Sequence, residues 1–339
     1  MRGRFVYPDL AQALEREGFE ISEGREIDIF INVNHNPTSL RELKFSSNGK
    51  KIKKILLRLE PHAVFPSQYS SKVESIYDLI LTPGSTEGVN KNNFVPFPYT
   101  YQMNPANPRD YSPKLSEVIE KNLIEKVYEY GTWKNREIHC SMIAANKISP
   151  NGSGNYAIRR KYAKYANLEN LSVYGQMWKI AFLSKLRYRL AVLKFALFNG
   201  GHFSLRQIFV DFWMKFDDVE GEVDDKHKIV ESSKFSLVIE NTNTYVSEKV
   251  LDALIGGSIP IYYGPSLELT GIPPELVIRA GEYNTIKIRS LAEINEDQIM
   301  KMLSMTRDFI TSDAFLKWDS ENVLKVISNR VAALIRSDN

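Results

Sequence analysis

The sequence predicts an α/β protein with two domains, each built around a mostly parallel sheet. Its 339 residues exceed the size of about 250–300 residues at which a single hydrophobic core stops growing. Short apolar runs, typical of strands buried on both faces, alternate with segments of helical period. Hydrophobic residues make up 43% and charged residues 25% of the chain, which is ordinary for a folded domain and far from the composition of disorder.

The first domain is predicted to span residues 1–133. Residues 10–17 have the pattern of a short helix ended by Gly18. Two prolines in FVPFPY, from residue 94, place that segment at a sheet edge or in a loop. Residues 103–113, rich in Pro and Asn, are expected to be irregular and to precede a helix. The buried strands are predicted at 27–33 (IDIFINV), 54–61 (KILLRLEP) and 77–83 (YDLILTP).

The second domain is predicted to span residues 134–318, with two strand-helix-strand units. IHCSMIAA, AIRRKYAKYA and LSVYG form the first, and right-handed crossover makes its strands parallel. The second is clearer, with a strand at 235–240, a helix at 247–255 that stops at Gly256-Gly257, and a strand at 259–264. Residues 319–339 are expected to form a C-terminal helix, for which packing back on the first domain is left open.

Bulk properties exclude several classes of function. Lys and Arg exceed Asp and Glu by only 44 to 41, too little for a nucleic-acid-binding face. Cys140 is alone and the five histidines are scattered, so neither a disulfide nor a metal site is expected. The N-terminus lacks a signal-peptide core, and no run of about eighteen apolar residues could span a membrane. A cytoplasmic protein is therefore expected.

Polar residues cluster after the strand at 235–240, where open α/β sheets bind ligands. Asn241, Tyr245, Glu248 and Lys249 lie in this strand-to-helix loop. Ser247 can cap the helix, whose unpaired N–H groups and positive dipole end favour a phosphate. Lys249 adds a point charge for the same anion. Each residue alone is more often part of a helix cap than a ligand, but together they indicate an anion site.

The block FSLVIENTNTYVSEKVLDALIGGSIPIYYG resembles the signature of the α-1,3-fucosyltransferase family, glycosyltransferase family ten, of bacterial type. The family pattern runs from an apolar strand through Glu-Asn, a short loop, Tyr, Ser/Thr-Glu-Lys and a helix to Ile/Val-Pro-Ile/Val-x-x-Gly. The matching positions here are Glu240, Asn241, Tyr245, Ser247, Glu248, Lys249, Ile259, Pro260, Ile261 and Gly264.

The resemblance extends upstream, where the family has a strand ending in Ser-Asn and then an Arg that opens a helix. Ala145-Asn146 takes the first place, with Ala145 departing from the usual Ser. Arg159 and Arg160 both fit the second place, and the Ile-Arg spacing favours Arg159.

The family also places a catalytic Glu just after a buried strand of the N-terminal half. Glu60 in KILLRLEP has that position, and the alternative is a surface carboxylate at a strand end. Phe315 and Trp318 resemble the closing aromatic motif of the family.

The resemblance implies a GT-B architecture of two Rossmann-like domains, with an active site in the interdomain cleft. It implies inverting transfer from GDP-fucose, with Glu60 as general base and no metal or other cofactor. No Asp-x-Asp triplet, the usual diphosphate-metal site of the other major glycosyltransferase fold, is present. The expected donor-binding residues are Arg159, Asn241, Tyr245, Ser247, Glu248 and Lys249, with Asn146, Arg160 and Glu240 as further candidates.

The acceptor expected from the resemblance is lipopolysaccharide, O-antigen or another surface saccharide. Two alternatives stay open. The first keeps the fold and mechanism but takes another nucleotide-sugar, and the second is a catalytically silent carbohydrate-binding protein.

Residues 178–216 interleave cations with large apolar residues. WKIAFLSKLRYRLAVLKFALF, at 178–198, suits an amphipathic helix. Two readings are open: the helix packs its apolar stripe on its own domain, or it makes a peripheral contact with an anionic membrane on the inner face. The run DDVEGEVDD at 217–225 is expected to be a solvated loop.

Overall fold

The protein is described by a computed structural model that covers residues 8–21, 27–46, 52–82, 94–96, 115–198, 203–244, 246–281 and 288–336. Contacts divide the chain into two compact units. The first comprises Met1–Ser112 with Leu316–Asn339, and the second comprises Pro113–Phe315. The predicted irregular segment at 103–113 lies outside the described residues.

The elements alternate along the chain much as the sequence predicts. The α-helices are α1 (Pro8–Arg16), α2 (Pro37–Ser46), α3 (Ser71–Glu74), α4 (Leu115–Ile124), α5 (Tyr130–Lys134), α6 (Tyr156–Lys164), α7 (Phe182–Phe198), α8 (Leu205–Ile208), α9 (Lys226–Glu231), α10 (Glu248–Ile255), α11 (Glu296–Ile310) and α12 (Ser320–Arg336). The strands are β1 (Ile29–Val33), β2 (Lys53–Leu57), β3 (Leu79–Thr82), β4 (Phe94–Pro96), β5 (Ile138–Ile143), β6 (Leu171–Tyr174), β7 (Ser233–Ile239), β8 (Ile259–Tyr263) and β9 (Ile278–Arg279).

The first unit contains a parallel sheet in the order β1-β2-β3-β4. Ile55, Leu56 and Leu57 of β2 are 0% exposed, as expected of a central strand covered on both faces. Pro96 lies in β4, which pairs with β3 alone among the described strands. A proline is tolerated at this edge because no further strand needs its missing N–H.

The second unit contains a parallel sheet in the order β6-β5-β7-β8-β9. The chain passes outward from β5 to β6 and then returns to the other side of β5 with β7. The strand order therefore reverses between β5 and β7, which makes this point the topological switch of the sheet. Cys140, in β5, is 0% exposed, and burial raises the pKa of its thiol.

The division between the units lies between Ser112 and Pro113, before α4, whereas the sequence analysis places a domain boundary between residues 133 and 134. Helix α4 belongs with the second unit because one of its residues, Asn122, contacts the end of α10. Asn122 Nδ2 donates to the carbonyl of Ile255 at 2.8 Å. The hydroxyl of Tyr128 donates to the same carbonyl.

The last helix, α12, belongs to the first unit and packs against α1. An exposed ion pair between Arg16 and Glu321, at 3.3 Å, lies at this contact. Exposed pairs contribute little to stability, so the buried faces of the two helices hold them together. Leu10 and Leu14 of α1 and Val323 and Ile327 of α12 are all buried.

Candidate active site

The predicted donor-binding residues follow β5 and β7, the two strands that flank the switch point of the second sheet. Ligands of open α/β sheets bind at the carboxyl ends of such strands. The two loops are joined directly, because the N–H of Asn155 donates to the carbonyl of Asn241 at 2.9 Å. Asn155 Nδ2 also donates to Asn243 Oδ1 at 2.9 Å. The loop after β5 and the loop after β7 therefore form one surface.

Arg159, in α6, lies with its guanidinium at the carboxyl end of β7. Its Nη2 donates to the carbonyl of Ile239 at 2.6 Å and to Asn241 Oδ1 at 2.7 Å. The guanidinium also lies over the ring of Tyr156, 5.0 Å from the centroid. Arg159 is 3% exposed, so its charge is held in place where the side chain of Asn241 meets the strand end.

Arg160, the neighbouring candidate, is engaged elsewhere. Its Nε donates to Asp211 Oδ2 at 2.8 Å, and its Nη1 donates to the carbonyl of Lys147 at 3.0 Å. This ion pair holds Arg160 at Asp211, whereas the hydrogen bonds of Arg159 to Ile239 and Asn241 are made at the carboxyl end of β7. Of the two arginines, Arg159 is the one whose positive charge is directed to the switch point.

Helix α10 begins at a capped and anchored end. The hydroxyl of Ser247 accepts from the N–H of Lys249, as an N-cap residue does. Glu240, 0% exposed, accepts from the N–H of Ser247 at 2.9 Å and from its hydroxyl at 2.6 Å. Burial raises the pKa of Glu240, and the nearby Lys249 lowers it in part. Glu240 thus faces the helix start and fixes it to the end of β7.

Lys249 reaches back over the same helix start. Its Nζ donates to the hydroxyl of Ser247 at 2.8 Å and lies 3.7 Å from Glu240 Oε2. Its side chain is 22% exposed, so the ammonium group can meet an anion from solvent. The N-cap of α10 and the ammonium of Lys249 therefore lie at one place, as a phosphate site requires.

Because Gly264 has no side chain, the side chain of Glu240 can pack directly against its backbone. A Cβ at this position would lie 2.7 Å from Cγ of Glu240 and 2.5 Å from the hydroxyl of Tyr262. Such distances are too short for real contacts, so a larger residue would displace the buried carboxylate. The glycine that ends IPIYYG is therefore required both by the side chain of Tyr262 in β8 and by Glu240, the anchor of α10.

Glu248 is the first residue of α10 and is partly buried. Burial alone would raise the pKa of its carboxyl group, but Lys249 and Lys226 outweigh burial and hold that pKa below 4.5. Arg159 contributes in the same direction. Three cations thus act on one carboxylate at the start of α10, and it stays ionised at neutral pH.

Of two further predicted residues, the structure describes Asn146 but not Tyr245. Asn146 is 6% exposed, and its Nδ2 donates to the carbonyl of Met177 at 3.3 Å. Its buried Oδ1 has no hydrogen-bond partner among the described residues, which leaves one acceptor unused in the loop after β5. Tyr245 lies outside the described residues.

Glu60, in the first unit, follows β2 and is partly buried. Three side chains hold its backbone. Asn34 Oδ1 accepts from its N–H at 3.0 Å, while Gln68 Nε2 and the hydroxyl of Tyr69 donate to its carbonyl at 2.7 Å and 2.9 Å. The position of this carboxylate is therefore set by groups from several segments of the unit.

Asn34, Gln68 and Tyr69 thus support the backbone of Glu60, and the sequence does not predict this support. Gln68 is 0% exposed, and Arg58 binds its carbonyl at 2.8 Å while lying 4.1 Å from the centroid of the Tyr69 ring. Asn34 has a signal in the sequence, since an Asn directly after a strand is typical of a turn with positive φ. Gln68 and Tyr69 have no such signal.

Metal and membrane signatures are absent from the part of the chain that the structure describes. Within it, no group of three or more His, Cys, Asp or Glu residues has the arrangement of a metal site. In the same residues, no helix combines the length and the apolar character that crossing a membrane requires.

Comparison with known proteins agrees with this architecture. No protein-family model matches the chain. The crystal structure of Anabaena HepE in complex with UDP and glucose aligns with 97% of this chain and 82% of its own, at a TM-score of 0.50 and 8% identity. A crystal structure of an α1,3-fucosyltransferase aligns with 98% of this chain and 84% of its own, at a TM-score of 0.48 and 14% identity. Two α/β units around parallel sheets, together with the likeness to HepE, define a GT-B fold.

One sequence relative matches a short part of the chain. An α-(1,4)-fucosyltransferase of Arabidopsis thaliana is 39% identical over 66 residues, which are 19% of this chain. The match spans 16% of the length of that protein. The sequence similarity to a named fucosyltransferase is therefore limited to this short segment, while the fold of the chain is GT-B.

Proposed function

We propose that the chain is an inverting glycosyltransferase that moves fucose from GDP-fucose to a hydroxyl group of an acceptor glycan. The observation that carries the proposal is the cation and helix-start site at the switch point of the second sheet, formed by Arg159, Ser247 and Lys249. The sequence relative is named a fucosyltransferase, and we extend its donor sugar, fucose, to the present chain.

The donor end of the reaction requires stabilisation of negative charge. The bond between the anomeric carbon and the diphosphate oxygen breaks, and negative charge grows on the leaving GDP. Cations and N–H donors that are already in position stabilise this charge more in the transition state than in the ground state. Arg159 is held by Asn241 and Lys249 by Ser247, so neither cation has to be reorganised. Glu248 is assigned to the hydroxyl groups of the donor, and Asn241 and Tyr245 to its sugar or phosphates.

The acceptor end requires removal of a proton. The acceptor oxygen bonds to the anomeric carbon on the face opposite the leaving group, and its proton passes to a carboxylate base. The proposed base is Glu60, supported by the three side chains that fix its backbone. Bond breaking to the diphosphate and bond formation to the acceptor oxygen occur in one transition state, which has oxocarbenium character as in glycosidases. No step in this scheme uses a metal or a further cofactor.

The proposed acceptor is lipopolysaccharide, O-antigen or another surface saccharide. Its assembly on a lipid would bring the enzyme to the inner face of the membrane, and we assign the peripheral contact to residues 178–216. That segment has apolar side chains exposed to solvent, with Phe198 and Trp213 each 79% exposed.

A donor panel tests the proposal. GDP-fucose, GDP-mannose and UDP-glucose are each added to the protein, and thermal unfolding is measured. A ligand present at about 100 times its dissociation constant stabilises a protein by roughly 2.7 kcal/mol, so GDP-fucose is expected to raise the unfolding temperature clearly. Lys249→Ala is expected to abolish most of that rise, whereas Lys301→Ala, an exposed lysine of α11, keeps it.

The same panel separates the alternatives. Stabilisation by UDP-glucose but not by GDP-fucose would keep the fold and mechanism and change the donor. This outcome has a structural reason, since the phosphate contacts proposed for Arg159 and Lys249 do not distinguish one donor sugar from another. Stabilisation by none of the three would favour a catalytically silent carbohydrate-binding protein.

A further inference from the structure

Helix α7 exposes an apolar stripe. Leu183, Leu190 and Leu197 are 64%, 48% and 57% exposed, and they recur at the helical spacing that places residues on one face. Arg187 and Lys194 fall between them on the same face and are also exposed. Leucines and cations therefore alternate along one outward stripe of the helix.

The inward side of α7 is attached through polar groups as well as through partly buried apolar side chains such as Leu186 and Leu193. Arg189, 2% exposed, donates to the carbonyl of Ile208. Lys185 Nζ donates to the carbonyl of Met214 at 3.0 Å. Ala196 is buried, but the outward leucines are in excess of what the core takes up. The exposure of Leu183, Leu190 and Leu197 therefore favours membrane contact over packing of these leucines on their own domain.

Aromatic rings extend the outward stripe at the start of α7. Phe182 and Trp213 stack with ring centroids 5.7 Å apart and an interplanar angle of 27°. Phe212 lies edge-on to both, at 5.3 Å and 5.1 Å. Phe182 is 50% and Trp213 79% exposed, although their neighbour Phe212 is buried. We call Phe182, Leu183, Arg187, Leu190, Lys194, Leu197 and Trp213 the lipid face.

Charge around the lipid face has one sign. The exposed cations of residues 178–216 are Lys179, Arg187, Lys194, Arg206 and Lys215. Asp211 is the single acid in that range, and Arg160 binds its carboxylate at 2.8 Å. The acidic run begins only at Asp217, so the basic region has a sharp border on that side.

We propose that the lipid face docks on an anionic membrane surface. Large aromatic and leucine side chains enter the headgroup boundary, while Lys and Arg beside them meet lipid phosphates. A second protein is a poorer fit, because it would have to supply a carboxylate for each of the five exposed cations of residues 178–216, and acids are depleted at the cores of protein interfaces. The inference gives residues to the membrane contact proposed above, and it does not depend on glycosyl transfer.

Co-sedimentation with vesicles tests the docking. The full chain is mixed with phosphatidylcholine vesicles with and without phosphatidylglycerol, at low and high salt. Pelleting with the anionic vesicles at low salt is expected, and salt should weaken it because exposed charges are screened. Each cation near an anionic surface contributes about 1 kcal/mol, so Arg187→Glu with Lys194→Glu should lower the partition coefficient at least about thirtyfold.

Matched variants serve as controls. Lys301→Glu with Lys325→Glu makes the same change of charge at exposed positions elsewhere and should bind as the unaltered chain does. Leu190→Ser with Trp213→Ser should weaken binding, whereas Leu168→Ser with Ile124→Ser, at positions 69% and 73% exposed, should not. Circular dichroism melts check that every variant is folded.

Three results would overturn the inference. The first is no pelleting with anionic vesicles at low salt, and the second is an equal loss in the control variants. The third is an oligomer, seen by sedimentation velocity, that dissociates in Leu190→Ser while vesicles are not bound, which would make the face a contact between two copies. Vesicle binding is measured without donor or acceptor, so a failed donor panel would leave this result unaffected.

Discussion

The side chain of Asn34 holds the backbone of Glu60: its Oδ1 accepts from the N–H of Glu60 at 3.0 Å and from the N–H of Leu59 at 2.9 Å. Asn34 directly follows β1, whereas Glu60 lies just beyond β2, so one amide joins the carboxyl ends of two neighbouring strands. Asn34 has a φ of +47°, a conformation that Asn adopts more readily than most residues. The turn and the support of the proposed base therefore come from the same residue.

Replacement of Asn34 is expected to reduce turnover through Glu60. In Asn34→Ala two main-chain N–H groups lose their acceptor, at a cost of about 1–3 kcal/mol in the free energy of unfolding, and kcat should fall about tenfold through the misplaced carboxylate. Asn34→Asp keeps an acceptor oxygen and should recover most of the activity. The two kcat values and the calorimetric Kd for GDP-fucose are compared. A loss of donor affinity as large as the loss of kcat would mean that Asn34 does not act through Glu60.

Glu60→Gln removes the proposed base and retains its shape. General-base catalysis contributes about a hundred- to ten-thousandfold, so kcat should fall within that range while the Kd for GDP-fucose stays near its original value. Glu15→Gln, at an exposed position of α1, is the control for loss of a charge in the same unit. Wild-type turnover in Glu60→Gln would remove Glu60 from the mechanism.

The two neighbouring arginines should respond differently to the same substitution. Arg159→Lys loses the Nη2 group that donates to both Ile239 and Asn241, and kcat is expected to fall on the order of a hundredfold, about 3 kcal/mol. Arg160→Lys weakens the contacts with Asp211 and Lys147 and should instead lower the free energy of unfolding by about 1–3 kcal/mol. Urea unfolding and steady-state kinetics on both variants give the comparison. The reverse pattern would move the diphosphate site to Arg160.

Gly264→Ala should disturb the anchor of α10. The added Cβ would lie 2.7 Å from Cγ of Glu240, and overpacking of this kind costs about 1–3 kcal/mol. The displaced Glu240 should also weaken the stabilisation by GDP-fucose, measured by thermal shift. Gly131→Ala is the matched control, because a Cβ there meets nothing within 4 Å and alanine favours the α5 helix by about 0.5–1 kcal/mol. Unchanged stability in Gly264→Ala would show that Glu240 can move at little cost.

Glu248 gives a pH dependence of known sign. Its folded-state pKa lies below 4.5 because Lys249 and Lys226 outweigh burial. A depressed carboxyl pKa contributes stability that is present above the unfolded pKa and is lost as pH falls through the folded one. Glu248→Gln should therefore be less stable than the unaltered chain at pH 7, and the difference should shrink as the pH falls below 4.5. Urea unfolding across that interval measures it, and a constant difference would contradict the assignment.

The spacing of apolar residues predicts most of the helices and strands, because that spacing reflects which side of each element is buried. A continuous apolar run such as that around Leu56 is possible only in a strand covered on both faces, and Gly256-Gly257 does end α10, with Gly257 at a φ of +66°. Strand order is not a local property, so the switch between β5 and β7 could be inferred only after the pairing was known.

The candidate site is predicted unevenly for the same reason. The start of α10 lies within one continuous motif, and its residues could be found together. The support of Glu60 comes from Asn34, Gln68 and Tyr69, which are brought together by tertiary folding. The distinction between Arg159 and Arg160 likewise depends on Asp211, which is distant along the chain.

Cys140 provides a reporter that needs no engineering. It is the single cysteine of the chain, and it lies in β5 between β6 and β7, wholly buried and with the pKa of its thiol raised. A thiol reagent can therefore modify the native protein only when the second unit opens, since the thiolate is the reactive form. The rate of modification measures how often that unit opens, separately from the first, and a bound nucleotide should slow the labelling.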